Sequence, residues 1–317
     1  MLPKNILITG ASGLLGGVAV RELTRSGHNV FAGTRTPSKL EGLPDYKNWQ
    51  LRKIDLNDTS IFAKALKGIE VVVHLAALNY NDCETNPDQA IRVNTENVNA
   101  LCQHARVAGV NHFIYMSSIH TYGTPLKGDL NEESTTSPQN IYAQTHRDAE
   151  NIVLDYFNES SFNATIFRLS NAFGVPASPR VNSWSLIAFE VCKQAAQKRA
   201  INLNSSGIQP RNFIAVRDVA KCIEHFINLN KRFSYPIFNL GSPSTISIID
   251  FVNLIREEAE ALYKVEIPIS KADTPSTTND FNFPTDKIRT AGFECSCEIR
   301  MELRALLNYC ELNKEII

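Results

Sequence analysis

Between an apolar run at residues 5–9 and an amphipathic pattern at 14–26 lies Thr9-Gly10-Ala11-Ser12-Gly13-Leu14-Leu15-Gly16, which restricts the fold more than any other stretch of the chain. Glycines at a strand-to-helix junction let the backbone turn tightly and let its N–H groups approach a pyrophosphate, whose charge the helix N-terminus favours. Taken alone, the spacing is also that of a structural turn. With a strand before it, a helix after it and a second strand ending near Thr34, it points to a dinucleotide held at Gly10, Gly13 and Gly16.

The pattern downstream agrees. Apolar runs at 5–9, 29–33, 71–77, 112–116 and 164–169 alternate with helical patterns at 14–26, 59–66, 88–108 and 142–157. That order predicts βαβ units and an α/β fold: a Rossmann-type doubly wound parallel sheet with a smaller C-terminal α/β substrate lobe. We expect the cofactor domain over residues 1–170, with strands returning from about 211–241, and mainly substrate lobe over 171–317. Prolines punctuate the second half around helices at 186–198 and 248–262, and the polar stretch 270–283 is expected as a mobile loop.

Composition narrows the partners. With 317 residues, 43% hydrophobic and 21% charged, and a net charge of −1, the chain has no field for nucleic acid or anionic lipid, so recognition has to be local. No run of about 18 apolar residues suggests a membrane span, and the start of the chain shows no secretory leader pattern, so a cytoplasmic protein is expected. Seven cysteines without a CxxC pair read as thiols, and no metal is expected.

The end of the second strand bears on the choice of dinucleotide. NAD sites usually carry Asp or Glu there for the ribose hydroxyls, whereas this chain reads Gly33-Thr34-Arg35 with Lys39 soon after. Cationic groups suit a 2′-phosphate, so NADP is preferred, with NAD the alternative.

The glycine turn, Asp55-Leu56, His74-Leu75-Ala76-Ala77, Ser117-Ser118-Ile119-His120-Thr121-Tyr122-Gly123, Arg168 to Gly174, Arg211 to Ala220 and Phe238-Asn239-Leu240-Gly241 follow one another along nearly the whole chain. Together they resemble the extended short-chain dehydrogenase/reductase family, in its nucleotide-sugar epimerase/dehydratase branch. The resemblance implies Leu14 and Leu15 along the pyrophosphate, Asp55 and Leu56 near the adenine, and Leu75, Ala76 and Ala77 along the inner ribose. It also implies Ser118 as the hydroxyl bonded to a substrate carbonyl or alcohol, Tyr142 as the proton donor or acceptor, and Asn171 and Arg211 at a substrate diphosphate. A homodimer pairing the helices near 88–108 and 142–157 is a further implication.

Hydride transfer to a carbonyl builds alkoxide charge that a positioned acid must meet. In the family a Lys one helical turn after the Tyr lowers the Tyr pKa and holds the ribose; here that position is His146. An ordinary His is only about one-tenth protonated at pH 7.5, and Arg147, about 100° further round the helix, faces elsewhere. Three outcomes stay open: a working enzyme with an altered pH profile, in which His146 hydrogen-bonds the cofactor ribose directly or through water and is protonated as Tyr142 ionises, a weakly catalytic NADP-binding regulator or partner protein, or other chemistry. Tyr142 and Ser118 also fit packing roles, His120 and Tyr122 fit either substrate-facing or loop-packing roles, and Arg211 fits an ion pair with Asp218. Among enzymes, a 4-keto-sugar reductase is favoured over an epimerase or dehydratase because NADP suits a reductant that exchanges, and a reductase of a small ketone or aldehyde is the remaining alternative.

Overall fold

A computed structural model describes residues 2–40, 43, 47–159, 162–181, 183, 186–229, 231–272 and 280–316. Seven strands form the central sheet: β1 Asn5–Thr9, β2 Asn29–Thr34, β3 Trp49–Lys53, β4 Val71–His74, β5 His112–Ser118, β6 Asn163–Leu169 and β7 Ile237–Leu240. All neighbours pair in parallel, in the order β3-β2-β1-β4-β5-β6-β7. Successive residues of a strand face opposite ways, so each strand serves two cores. Ile6, Ile8, Val71, Val73, Ile114 and Phe238 pack on one side with helices Leu14–Arg25 and Val216–Leu229. Leu7, Val72, Phe113, Tyr115 and Ile166 pack on the other with helices Asn97–Val107 and Ile141–Asn158. A sheet apolar on both faces has to be covered on both, which is why the strand runs are nearly continuous in hydrophobicity.

Because β2 and β3 extend the sheet one way and β4 to β7 the other, the crevice opens at the carboxyl ends of β1 and β4, where ligands bind in such sheets. Residues 75–77, expected as the end of the fourth strand, leave it after His74 and border that crevice.

One expectation is corrected. Of the region expected to return strands to the cofactor domain, only β7 joins the central sheet. Pro210–Ala215 pairs instead with Asn171–Phe173 and Thr245–Ser247 in a separate three-stranded sheet. That sheet builds on its own aromatic core, where Phe213 stacks on Phe251 with centroids 3.7 Å apart, beside helices Ile187–Lys198, Ile248–Tyr263 and Ile299–Leu312. The stretch 270–283, expected as a mobile loop, is anchored at both ends: Ile269–Lys271 pairs with Ile201–Leu203 and Phe281–Asn282 with Gly128–Asp129. Its middle, 273–279, lies outside the described residues. Among the described residues no helix is long and apolar enough to cross a membrane.

The expected helix at 88–108 is divided. Pro87–Ile91 and Asn97–Val107 are α-helical, with a π-helical turn at Arg92–Glu96 between them. The wider turn holds the buried Asn94, whose carbonyl accepts from Leu78 N at 2.8 Å and whose amide donates to Thr145 Oγ1 at 3.2 Å. One side chain thereby ties the loop after β4 to the helix Ile141–Asn158.

Candidate active site

The crevice holds a cavity of about 280 Å³ lined by Gly10, Gly13, Leu14, Arg35, Asp55, Leu56, Leu75, Ala76 and Ala77 among others. Gly10 sits at φ +68°, and a Cβ there would lie 2.8 Å from Ala76 N; only glycine serves both the left-handed turn and the close approach of β4's end. A Cβ on Gly16 would collide with the Gly10 carbonyl, so Gly16 stands behind the turn and lets the helix start press against it. Gly13 caps that helix without a side-chain bond, which leaves the amides of its first turn open for an anion. These features fit a dinucleotide pyrophosphate, whereas the amides of Ala11 and Gly13 are taken by the Gly33 and Gly10 carbonyls.

At the far end of this cavity Arg35 is exposed at its rim, and the end of β2 offers no carboxylate. Asp55 accepts both the amide N–H and the side-chain amide of Asn57 at 3.0 Å, so one oxygen of its carboxylate is already engaged in shaping this wall of the cavity. The side chain of Lys39 lies outside what is described.

A second cavity, about 270 Å³, adjoins the first at Leu14, which borders both. Ser118 at the end of β5 and Tyr142 in the first turn of Ile141–Asn158 line it, with Leu15, His120, Asn171 and Phe213. Tyr142 is aimed by its helix, whose Asn140 cap accepts from Ala143 N at 2.8 Å. Burial raises the Tyr142 pKa, and the nearby Ser118 hydroxyl only partly offsets that. The structure thus brings the expected phenol and alcohol together on one wall. Asn171 donates to Asn212 O at 2.9 Å. Arg211 lies in a smaller adjoining cavity of about 120 Å³, shared with His120. The alternative ion pair is not formed: Asp218 accepts from Ser296 and Cys295, and Arg211 donates to Pro210 O.

His146 borders neither cavity. Its ring packs edge-on against Tyr142 at 4.6 Å, it is buried, and its Nδ1 lies 2.9 Å from Tyr115 Oη. Burial pushes its pKa down to about 4, despite Glu150 nearby. Burial also pushes the Tyr115 phenol well up, so a protonated phenol and a neutral imidazole share this hydrogen bond. Where a Lys would place a cation, this chain places an uncharged ring behind Tyr142.

Tyr122 is turned away from the cleft: its hydroxyl donates to Asn239 Oδ1 at 2.7 Å under the Arg168 guanidinium. The sequence reading missed what stiffens this wall. Glu150, fully buried one turn after His146, accepts from Ser117 Oγ at 2.6 Å and from Arg168 Nε and Nη2 at 3.0 and 2.8 Å. Its i+8 spacing from Tyr142 on the same helix was the available signal.

Comparison with known proteins follows the same outline. A profile of the NAD dependent epimerase/dehydratase family matches residues 6–241. The chain belongs to that family. Its members are enzymes of the short-chain dehydrogenase/reductase type. The epimerase/dehydratase relatives include dTDP-D-glucose 4,6-dehydratase of Mus musculus, 27% identical over 92% of this chain and 84% of that one. UDP-glucose 4-epimerase of Corynebacterium glutamicum is 25% identical over 86% of this chain and 85% of its own length. Two solved structures share the fold: MoeE5 in complex with UDP-glucose and NAD, at TM-score 0.80 and 23% identity over 98% of this chain and 99% of that one, and RMD from Pseudomonas aeruginosa complexed with NADPH, at TM-score 0.78 and 20% identity over the same shares.

Proposed function

We propose that this epimerase/dehydratase family member is an NADP-dependent reductase of a 4-keto nucleotide sugar. The observation that carries the reading is the setting of Tyr142: beside Ser118 on one cavity wall, flanked by His120 and His146, and with no Lys or Arg against it among the described residues. Arg147 is spent on Glu150 at 3.1 Å. A phenol that stays protonated is ready to give its proton to an alkoxide oxygen, the direction of ketone reduction. Epimerases and dehydratases must first oxidise an alcohol, which needs the phenolate, and among the described residues the balance of burial and neighbours raises the Tyr142 pKa.

Dehydration asks for more. Loss of water beside a ketone needs a base for the C–H and an acid for the leaving hydroxyl, and no Asp or Glu borders the Ser118–Tyr142 cavity among the described residues. Bound nicotinamide would supply the hydride; Ser118 would orient the carbonyl, and Asn171 and Arg211 would hold the diphosphate. The relatives' names, dTDP-D-glucose 4,6-dehydratase and UDP-glucose 4-epimerase, support a nucleotide sugar as the substrate class.

The test runs the reaction both ways on a panel of keto- and hydroxy-sugar nucleotides. Reduction is expected to be nearly flat between pH 6 and 8, whereas oxidation rises about tenfold per pH unit as the phenol ionises. Equal rates of oxidation and reduction at pH 7 under matched cofactor would overturn the assignment. The neutral His146 also carries a second reading, a non-catalytic NADP-binding protein; absence of turnover in either direction with NADPH still bound decides for it.

The cofactor preference has its own check. Arg35→Ala is expected to weaken NADPH binding about five- to tenfold, the worth of one exposed charge-assisted hydrogen bond, and to leave NADH binding nearly unchanged in a fluorescence titration. Equal losses for both would place Arg35 outside phosphate recognition.

A further inference from the structure

We infer that Arg180, carried on a strap from the substrate lobe, is a second cation that reads the 2′-phosphate of the cofactor. The inference rests on the NADP reading above and deepens it: the phosphate is gripped from both lobes, by Arg35 at the end of β2 and by Arg180 from across the cleft.

The strap, residues 174–181, begins where the strand Asn171–Phe173 ends. Asn171 and Phe173 line the Ser118–Tyr142 cavity, as do Leu186 and Ala188 further on, yet Val181 between them lines the dinucleotide cavity. The chain thus leaves the substrate site, touches the cofactor site and returns. On the way it crosses the first turns of the helix Leu14–Arg25, and the crossing is close: a Cβ on Gly17 would lie 2.6 Å from Ala177 Cβ. Gly17 lies inside the helix, where glycine is weaker than alanine, and it is the strap that requires it there.

Ser178 shapes the tip of the strap. It is buried; its Oγ accepts from Arg180 N at 3.3 Å and its carbonyl from Val181 N at 3.2 Å. Val181 is thereby buried on the cavity wall while Arg180 is exposed, and Arg180 Nη1 donates to Ser38 O at 3.0 Å. Ser38 belongs to the short turn Pro37–Leu40, three residues after Arg35. The end of β2 is pinned to the glycine turn in its own right, since Thr34 Oγ1 donates to Ser12 Oγ at 3.0 Å and accepts from Thr36 N at 3.0 Å. Arg180 therefore stands beside the residues that follow β2, where an NADP 2′-phosphate is met in such folds. A guanidinium carries five N–H donors in one plane, enough to hold a carbonyl and a phosphate oxygen together.

The experiment titrates the full chain and its Arg180→Ala variant with NADPH and NADH by fluorescence, with 2′,5′-ADP and 5′-AMP as competitors that lack the nicotinamide. Arg180→Ala is expected to weaken NADPH and 2′,5′-ADP about five- to tenfold, the worth of one exposed charge-assisted hydrogen bond, and to leave NADH and 5′-AMP nearly unchanged. Unchanged NADH affinity also reports that the variant is folded. Equal losses for ligands with and without the phosphate mean that Arg180 only fastens the strap to Ser38, and they overturn the inference, as does no loss at all. A parent protein whose preference for NADPH is lost in Arg35→Ala and kept in Arg180→Ala overturns this inference alone, whereas a parent that binds NADPH no tighter than NADH takes down the NADP reading with it.

Discussion

Replacing Tyr142 by Phe is expected to lower reductive turnover by about 10²- to 10⁴-fold, the range for removal of a positioned general acid, while NADPH binding persists. The substitution removes one oxygen and little else. The ring contacts with His146 at 4.6 Å and His120 at 6.4 Å survive in Phe, so the wall of the cleft keeps its shape. Ser118 can still orient the carbonyl, but its hydroxyl is a far weaker acid than a phenol, and the alkoxide has to wait for water. The measurement is single-turnover reduction followed by loss of NADPH absorbance, beside a fluorescence titration of the cofactor. Retention of more than about a tenth of the parent rate would mean that another group delivers the proton.

The second large effect is on stability. Glu150→Gln is expected to cost about 3–5 kcal/mol, because it leaves the Arg168 guanidinium, 2% exposed, without its counter-charge. Gln retains the shape and can still accept from Ser117, so the loss isolates the charge. Replacing both partners, Glu150→Leu with Arg168→Met, is expected to recover much of it, since an apolar pair of similar volume avoids the desolvation that two buried ions suffer. Urea unfolding of the three proteins checks this. If Glu150→Gln unfolds like the parent, then Arg147, which also reaches Glu150, and the polar contacts of Arg168 are not organised as described. A stiff Glu150–Arg168 pair also explains how Ser117 and Ser118, neighbours on β5, are held in place: Ser117 is bonded to the pair and Ser118 faces the cleft.

Much of this architecture follows from local pattern. Glycine is dictated at Gly16 by clearance from the nearby Gly10 carbonyl and at Gly10 by its left-handed φ, and the period of the apolar runs separates strands from helices before any tertiary contact forms. The family motifs marked Ser118 and Tyr142 because their helix and strand are adjacent in the chain's own rhythm. Less accessible were features that depend on packing between distant elements. The π turn at Arg92–Glu96 has no strong sequence signature, and its purpose shows only when Asn94 meets Leu78 and Thr145. Strand Pro210–Ala215 reads like one of the central sheet, yet the Phe213–Phe251 stack draws it into the other lobe.

His146 shows where the division falls. That a cation is missing one turn after Tyr142 is written in the chain itself, as are the glycine cradle, the βαβ order and the absence of a carboxylate at the end of β2. Only the folded arrangement decided what the imidazole does instead, because protonation and direction depend on burial and on Tyr115, which lies 31 residues away on β5. Local propensity and spacing determine which groups a chain can bring to a site; the dielectric and partners around each one, and so its charge, are set by tertiary packing.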